Sequence, residues 1–398
     1  MARVLAIDTH PIQYKAPIYR RLQQQHGHEL SAYFACDLGT QRYADAEFGV
    51  EMAWDVDLLS GYRSFIAHPG TATSDTEMHK LRCLGLAKIL WQTRPEVILL
   101  SGYASRFIQD ALIQLAALPV PWVFRAEATD HASQRSRLKG ALRDGMLRAL
   151  YRRMSALAYI GERAHRHYRR LGVPERKLFF APYGVETTPF EPDEAGRARL
   201  RHLCRAEQQV SDKRVVLLFS GKLSERKDPA LLVHAVRSLP TVLRQRITVV
   251  YLGAGELARE LVSLAQSEPR VDIRLIGFKN QRELSAYYHA ADALVLASRW
   301  GETWGLVVNE ALHHGTPCLV SHQVGSAPDL IVPGETGEVF EAGSAESLVR
   351  AIGRIWPRLG TRATRDRARA HVAGYSLDIA ASGLSQAIEY AAAKPIGH

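Results

Sequence analysis

Cysteine is scarce in this chain. Cys36, Cys83, Cys204 and Cys318 lie far apart, with neither a CxxC pair nor a Cys/His ligand spacing. Such dispersal argues for a reducing compartment and against a disulfide framework or a structural zinc. Long hydrophobic runs are lacking too. The longest uncharged apolar stretch, roughly 111–124, contains Pro119 and Pro121 and is too short to cross a bilayer. Near the start, Asp8 interrupts MARVLAID before a signal-peptide core forms, so a cytoplasmic location is expected. No DxD pair stands out as a metal site, and no metal or other cofactor is expected.

What is present in excess is positive charge. Lys and Arg number 51 against 41 Asp and Glu, giving a net charge of +10. The excess is concentrated between Arg135 and Lys177, in RSRLKGALRDGMLRALYRR and GERAHRHYRRLG. Solvated helix faces are the plain reading. The sharper one is a surface for anionic lipid headgroups or an anionic acceptor, since each basic side chain near such a membrane contributes about 1 kcal/mol. Peripheral association with the inner face of the cytoplasmic membrane is thus an expectation. No basic–aromatic recognition module accompanies the charge, and nucleic acid is not an expected partner.

At 398 residues the chain exceeds one ordinary core, so two domains are expected. Its first half alternates β-rich runs (RVLAI, ELSAYFA, EVILLS, PWVFRA, ALAYI, KLFFA) with helix-period stretches (APIYRRLQQQ, EMHKLRCLGLAKILWQ, RFIQDALIQLAA). That alternation implies a parallel sheet covered on both faces. Residues 182–212 break the rhythm, and PYGVETTPFEPDE, rich in Pro, Thr and acids, reads as a connection. A second alternating set follows: RVVLLFSG, ITVVYLGAG, VDIRLIG, DALVLAS and TPCLVS. From about Gly343 the chain turns helical. The expected organisation is therefore α/β with two doubly wound domains, and ligands sit outside the carboxyl ends of such strands.

Three post-strand segments carry chemistry. In LLFSGKLSERKDP a strand ends at Ser220-Gly221, and Lys222 and Lys227 precede a helix starting near Asp228-Pro229. Compact cations beside a glycine turn suit a diphosphate; a solvated loop is the alternative. GAGELAR offers Gly253 and Gly255 but lacks the third glycine of a dinucleotide fingerprint, so a tight strand–helix turn is the simpler role. RWGETWG leads into LVVNEALHH, stopped by Gly315. Gly305 and Leu306 would sit at that helix start, where free amides favour an anion. Leu306 and Glu310, four apart, share one face about 6 Å apart along the axis. Glu302 and Glu310 would then be suited to accept hydrogen bonds from sugar hydroxyls rather than to meet the anion.

From Lys213 to Phe340 the sequence resembles the nucleotide-binding half of retaining, family-4-type glycosyltransferases (glycosyl transferases group 1) with the GT-B fold. The matching stretches are SGKLSERKDP, LGAGELARELVSLA, the long run from Ile276 to Ser321 containing Glu302-x7-Glu310, and GSAPDLIVPGETGEVF. Near the start, DTHPIQYKAPIYRRL resembles a subgroup opening with His-Pro-Ile-Gln-Tyr in place of a glycine-rich loop, so a glycine-loop contact to the diphosphate is not carried over. The resemblance implies two Rossmann-like domains facing across a cleft: an acceptor-side domain over 1–185, a linker over 186–212, a nucleotide-sugar-binding domain over 213–372, and a C-terminal helix over 373–398 crossing back to the first domain.

The resemblance also implies a nucleotide-diphosphate sugar as donor and roles for single residues. Lys222 and Lys227 would meet the diphosphate, with Gly221 at the turn. Glu310 would meet the ribose and Glu302 the donor sugar. Thr303, Trp304, Gly305 and Leu306 would line sugar or phosphate, and Gly277 and Phe278 would contact the base. His10 would face the donor from the first domain. Gln13, Tyr103 and Arg125 would lie on the acceptor side. Glu127 or His131 would sit under the anomeric carbon. The acceptor would be a glycan, a lipid-linked molecule or a small molecule, in cell-surface glycan or glycolipid synthesis. Alternatives left open are a nucleotide-sugar epimerase or hydrolase using the same pocket, and a non-catalytic nucleotide-sugar-binding subunit.

Overall fold

The computed structural model describes residues 1–40, 43–45, 50–52, 57–70, 74–130 and 137–393. Its first half contains β1 (Arg3–Asp8), β2 (Glu29–Cys36), β3 (Tyr43–Asp45), β4 (Val50–Met52), β5 (Arg63–His68), β6 (Val97–Ser101), β7 (Trp122–Arg125), β8 (Ala156–Tyr159) and β9 (Leu178–Phe180). Seven of these form one sheet in the order β5-β2-β1-β6-β7-β8-β9, every pair parallel. The strands read as unbroken apolar runs because both faces are covered. Leu5, Ile7, Ile98, Leu100 and Phe124 pack into one layer, while the alternating Val4, Ala6, Val97, Leu99 and Val123 pack into the other.

The second half repeats the plan with β10 (Val215–Ser220), β11 (Ile247–Leu252), β12 (Asp272–Gly277), β13 (Ala293–Leu296), β14 (Cys318–Ser321) and β15 (Gly337–Phe340). They form a parallel sheet in the order β12-β11-β10-β13-β14-β15. In each sheet the order reverses once, between β1 and β6 and between β10 and β13. Those are the switch points where open parallel sheets leave a crevice.

The fold departs from the sequence-based expectation in three places. The strands β5 and β15, unread in the sequence, extend one edge of each sheet. The helix expected over 77–92 is interrupted: a short turn at Asp75–Met78 and a helix at Leu86–Thr93 are separated by non-helical chain. Gly85 takes a left-handed conformation (φ 77°) there, and Asp110 holds the preceding segment by accepting from the Cys83 amide at 3.3 Å. Third, the expected linker contains a helix, Glu194–Glu207, with Asp193 accepting from the Gly196 amide at 2.8 Å as its cap. That helix belongs to the second domain, because Arg201 and Arg205 both reach the buried Asp292 at 2.7 Å.

After the second domain the chain returns. The helix Leu377–Ala392 presents Leu377, Ala380, Ala381, Leu384, Ala387, Ile388 and Ala391 at helical spacing to the lower layer of the first sheet. Gly383 lets it approach closely, since a Cβ there would stand 1.7 Å from the Phe180 carbonyl oxygen. The outgoing and returning segments also touch. A Cβ on Gly184 would lie 2.7 Å from the Leu377 nitrogen and 2.9 Å from the Tyr375 oxygen.

Candidate active site

At the crevice of the second sheet, β10 ends in Ser220 and the chain turns through Gly221 (φ 144°) into Lys222. A 3-10 turn over Glu225–Lys227 then carries the buried Lys227 toward the loop that follows β13. The Lys227 ammonium donates to Glu302, which also accepts from the Ser298 hydroxyl at 2.8 Å and from Arg226 at 3.5 Å. Burial opposes the Glu302 charge, but Lys227 and Arg226 outweigh it and hold its pKa below the ordinary carboxylate value. Glu302 and Lys227, expected to serve separate parts of one ligand, thus form a single charged unit. Gly253, in the turn after β11, lies against the Gly221 backbone and donates its amide to the Gly277 carbonyl at 2.9 Å. That contact ties the turn to the loop at Gly277-Phe278, at the end of β12.

The helix Leu306–His313 starts immediately after Gly305 (φ 92°), and Gly315 (φ 79°) ends it, as its sequence requires. Glu310 lies buried on its inner face and accepts from the Tyr288 hydroxyl at 2.6 Å. The Trp304 side chain is turned inward: its indole donates to Asn309 at 2.7 Å and packs near Tyr183 and Tyr375. What Trp304 leaves toward the cleft is backbone.

The first domain contributes the opposite wall. A cavity of about 580 Å³ opens at the ends of β1, β6 and β7, lined among others by Asp8, His10, Tyr103, Arg125, Glu127 and Tyr183. Arg125 and Glu127 do not pair with each other. Arg125 donates to the Ala181 and Pro182 carbonyls at 3.3 and 3.1 Å. Glu127 accepts from the Tyr183 hydroxyl at 2.7 Å and, across the cleft, from the Thr303 hydroxyl. A second bridge runs from the Asn309 amide to the Tyr183 carbonyl at 3.1 Å. Below this, Asp329 of the second domain accepts the Glu162 amide at 2.9 Å at the start of the helix Glu162–Arg170.

The structure regroups two first-domain residues. Gln13 does not line the cavity of Tyr103 and Arg125; it borders a smaller one with Leu306 and Glu310. His10, expected on the donor side, lines the larger cavity. His131 lies outside the described residues. The residues sequence reasoning missed are Arg226, Tyr183, Asn309 and Tyr288. Arg226 adjoins Lys227 and Asn309 adjoins Glu310, which was a usable signal; Tyr183 lay in a segment taken for a connection. Among the described residues no cluster of His, Cys, Asp or Glu suits a metal ion. The chain does have one Asp-x-Asp spacing, Asp55 and Asp57. Asp57 accepts the Leu59 and Ser60 amides at 3.0 and 3.1 Å, and Asp55 lies outside the described residues.

On the first domain's surface, the helix Arg137–Arg153 exposes Leu138, Leu142 and Met146, spaced four apart in one stripe. Lys139, Arg148 and Arg152 are exposed around it.

Residues 13–184 match the model described as glycosyl transferase 4-like domain, and residues 202–357 that of glycosyl transferases group 1. A D-inositol 3-phosphate glycosyltransferase of Salinispora arenicola is 30% identical over 211 residues, covering 50% of this chain and 47% of the relative. The enzyme of that name from Mycobacteroides abscessus is 31% identical over 207 residues, covering 50% and 44%. The chain thus spans about half the length of the curated relatives it matches. Among solved structures, sucrose-phosphate synthase from Thermosynechococcus elongatus superposes with a TM-score of 0.70 at 18% identity, covering 96% of this chain and 98% of that one. Anabaena HepE in complex with UDP and glucose gives 0.66 at 13% identity, covering 98% and 100%. At these identities the likeness speaks for the fold, which is GT-B.

Proposed function

With residues 13–184 belonging to the glycosyl transferase 4-like domains and residues 202–357 to the glycosyl transferases group 1, we propose that the chain moves a sugar from a nucleotide-diphosphate donor to an acceptor with retention at the anomeric carbon. The observation that carries this reading is the meeting of the two walls. Lys227 and Arg226 gather at Glu302, one residue before Thr303, whose hydroxyl donates to Glu127 of the opposite domain. Cations for a leaving group and a carboxylate for the sugar's other face therefore border one cleft.

In that reaction the bond from the anomeric carbon to the diphosphate oxygen breaks while the acceptor hydroxyl bonds to the same carbon. The hydroxyl's proton goes to the departing diphosphate. Lys222, Arg226, Lys227 and the amides at the start of the helix Leu306–His313 take up the charge on the leaving group. Glu302, held in place by Lys227 and Ser298, has its remaining oxygen for donor hydroxyls. Glu310 serves the ribose, its position fixed by Tyr288. Glu127 orients the reacting face and is not assigned as a nucleophile. With cations of the chain supplying the counter-charge, turnover is expected to survive EDTA.

The relatives' name and the UDP of Anabaena HepE guide the choice of substrates. A thermal-shift panel of UDP-, GDP-, ADP- and dTDP-sugars identifies the donor, and product analysis with and without acceptor separates transfer from hydrolysis or epimerisation. A chain that binds no nucleotide sugar, or turns one over without any acceptor dependence, refutes the proposal. The exposed stripe of Leu138, Leu142 and Met146 with its flanking cations favours a further element of the same reading, docking on an anionic membrane near the acceptor. Sedimentation with anionic vesicles tests it.

A further inference from the structure

Where the chain leaves the first domain stands a buried side chain to which the proposed chemistry gives no role. Tyr183 precedes Gly184 and is 4% exposed. The Arg125 guanidinium lies 5.0 Å over its ring, and Tyr14 packs against it edge-on at 4.9 Å and 69°. Arg125 also holds the backbone just upstream, through the Ala181 and Pro182 carbonyls. With ring and backbone both held, the hydroxyl is fixed in place, and it donates to Glu127 Oε1 at 2.7 Å. Burial, reinforced by the Glu127 charge, pushes the phenol pKa well up, so Tyr183 stays protonated and serves as a donor.

The same residue faces the second domain through its backbone. Its carbonyl accepts from the Asn309 amide at 3.1 Å, and the buried Asn309 accepts from the Trp304 indole at 2.7 Å. Trp304 follows Thr303, whose hydroxyl donates to Glu127 Oε2. The loop that bears them is pinned in turn, by the Gly325 amide on the Glu302 carbonyl at 2.9 Å and the Ser326 amide on the Trp304 carbonyl at 3.0 Å. These contacts close a circuit from Glu127 through Tyr183, Asn309, Trp304 and Thr303 back to Glu127. It crosses between the domains twice, at Tyr183–Asn309 and at Thr303–Glu127. The two donors take one oxygen of Glu127 each and together fix the plane of the carboxylate. A glutamate's last torsion is soft, so one donor alone leaves that plane free to turn. Separating the domains removes Thr303 and leaves only Tyr183.

Resting on the proposed transfer reaction and on the place of Glu127 in it, we propose that Tyr183 is a positioning residue that couples Glu127 to domain closure. Glu127 meets the reacting face in its working orientation only when the second domain is docked and the circuit is complete. The hydroxyl of Tyr183 acts through that carboxylate rather than on either substrate. The proposed nucleotide contacts, Lys222, Lys227 and Glu310, all stand on the second domain, whereas Tyr183 serves a carboxylate of the first. Its loss therefore slows turnover and spares nucleotide affinity, as misplacement of a reacting group does.

Steady-state kinetics of the full chain test this, with UDP-, GDP-, ADP- and dTDP-sugars as donors and water or an inositol monophosphate as acceptor. Tyr183→Phe removes the hydroxyl and keeps the ring and the carbonyl. It is expected to lower kcat about tenfold, as for loss of a charge-assisted hydrogen bond, with donor KM and the Kd of UDP, GDP, ADP or dTDP within about twofold of wild type. In a Glu127→Ala background the same substitution is expected to change kcat by less than about twofold, since it acts through that carboxylate. If Glu127→Ala leaves no turnover to measure, Tyr183→Phe is paired with Thr303→Val, and the two losses are expected to fall short of multiplying because either one frees the plane. Circular-dichroism melting checks each variant's fold; if Tyr183→Phe does not fold, Thr303→Val read against Glu127→Ala carries the test. An unchanged kcat in Tyr183→Phe, an equal loss in both backgrounds, or a loss carried by KM and nucleotide affinity overturns this inference and leaves the transfer reading standing. Wild-type kcat in Glu127→Ala removes Glu127 from its role, and Tyr183 with it. A chain that turns over none of the donors refutes the transfer reading beneath, and this inference falls with it.

Discussion

At the scale of single residues, the proposed donor side rests on charges that already meet one another. Lys227 is held by Glu302, which fixes its position, so a diphosphate bound as proposed would have to share it. Lys222, just after the glycine turn, is the other cation of the proposed donor side. Lys222→Ala is expected to lower turnover about a hundredfold, the usual cost of one transition-state donor. Glu310→Ala should weaken nucleotide binding about tenfold in a titration. Wild-type behaviour in both would remove the site assignment. Asp329 behaves in the opposite sense to Glu302: burial raises its pKa to about 6 despite the Glu162 amide it accepts. Because the folded chain holds this proton more tightly than the unfolded one, Asp329 lowers stability as pH climbs from the ordinary carboxylate value to about 6, and the cost persists above. Asp329→Asn keeps an acceptor for the amide and should melt higher than wild type near pH 7, the difference vanishing toward pH 4. Melting curves with an unchanged difference across that interval would contradict this.

At the scale of elements, the segment between the domains shows how long-range partners rewrite a local reading. Its Pro- and acid-rich opening does read as a connection, and residues 186–192 are one. The following helix is legible only through Asp292, which lies far along the chain and gathers Arg201 and Arg205. Asp292→Ala leaves buried guanidinium groups uncompensated, and chemical denaturation should show a loss of about 3–5 kcal/mol. A loss under 1 kcal/mol would mean the cluster is solvated. The sequence did disclose most strands, because parallel strands buried on two faces are continuous apolar runs. It hid β5 and β15, whose half-buried or short sequences at the sheet edges carry no such run. It disclosed the helix Leu306–His313 through Gly305 and Gly315, which bracket it. It could not disclose that Trp304 turns inward to Asn309, since an aromatic in a loop reads the same whether it faces a ligand or a core.

At the scale of the whole molecule, the two-domain plan followed from strand–helix alternation, but the meeting of Glu127 with Thr303 required both domains in place. The surface of the first domain adds a prediction at this scale. Leu138, Leu142 and Met146 are 86, 79 and 55% exposed in one stripe among basic neighbours. The chain should sediment with vesicles rich in anionic lipid and be released by salt. Leu142→Ser should weaken partitioning about tenfold, since each buried methylene contributes about 0.8 kcal/mol. Equal sedimentation with neutral vesicles, or no effect of Leu142→Ser, would reject docking by this face.

The contact at Gly184 has a consequence of another kind. The chain departs for the second domain at Gly184 and re-enters the first at Leu377, and these points touch. In topological terms the second domain is an insertion, with both of its splice points side by side. A foreign domain of the same plan could be joined there without displacing either cut end. On the proposed transfer reading, donor preference in such a chimera is expected to travel with the transplanted cassette and acceptor preference to stay with the recipient.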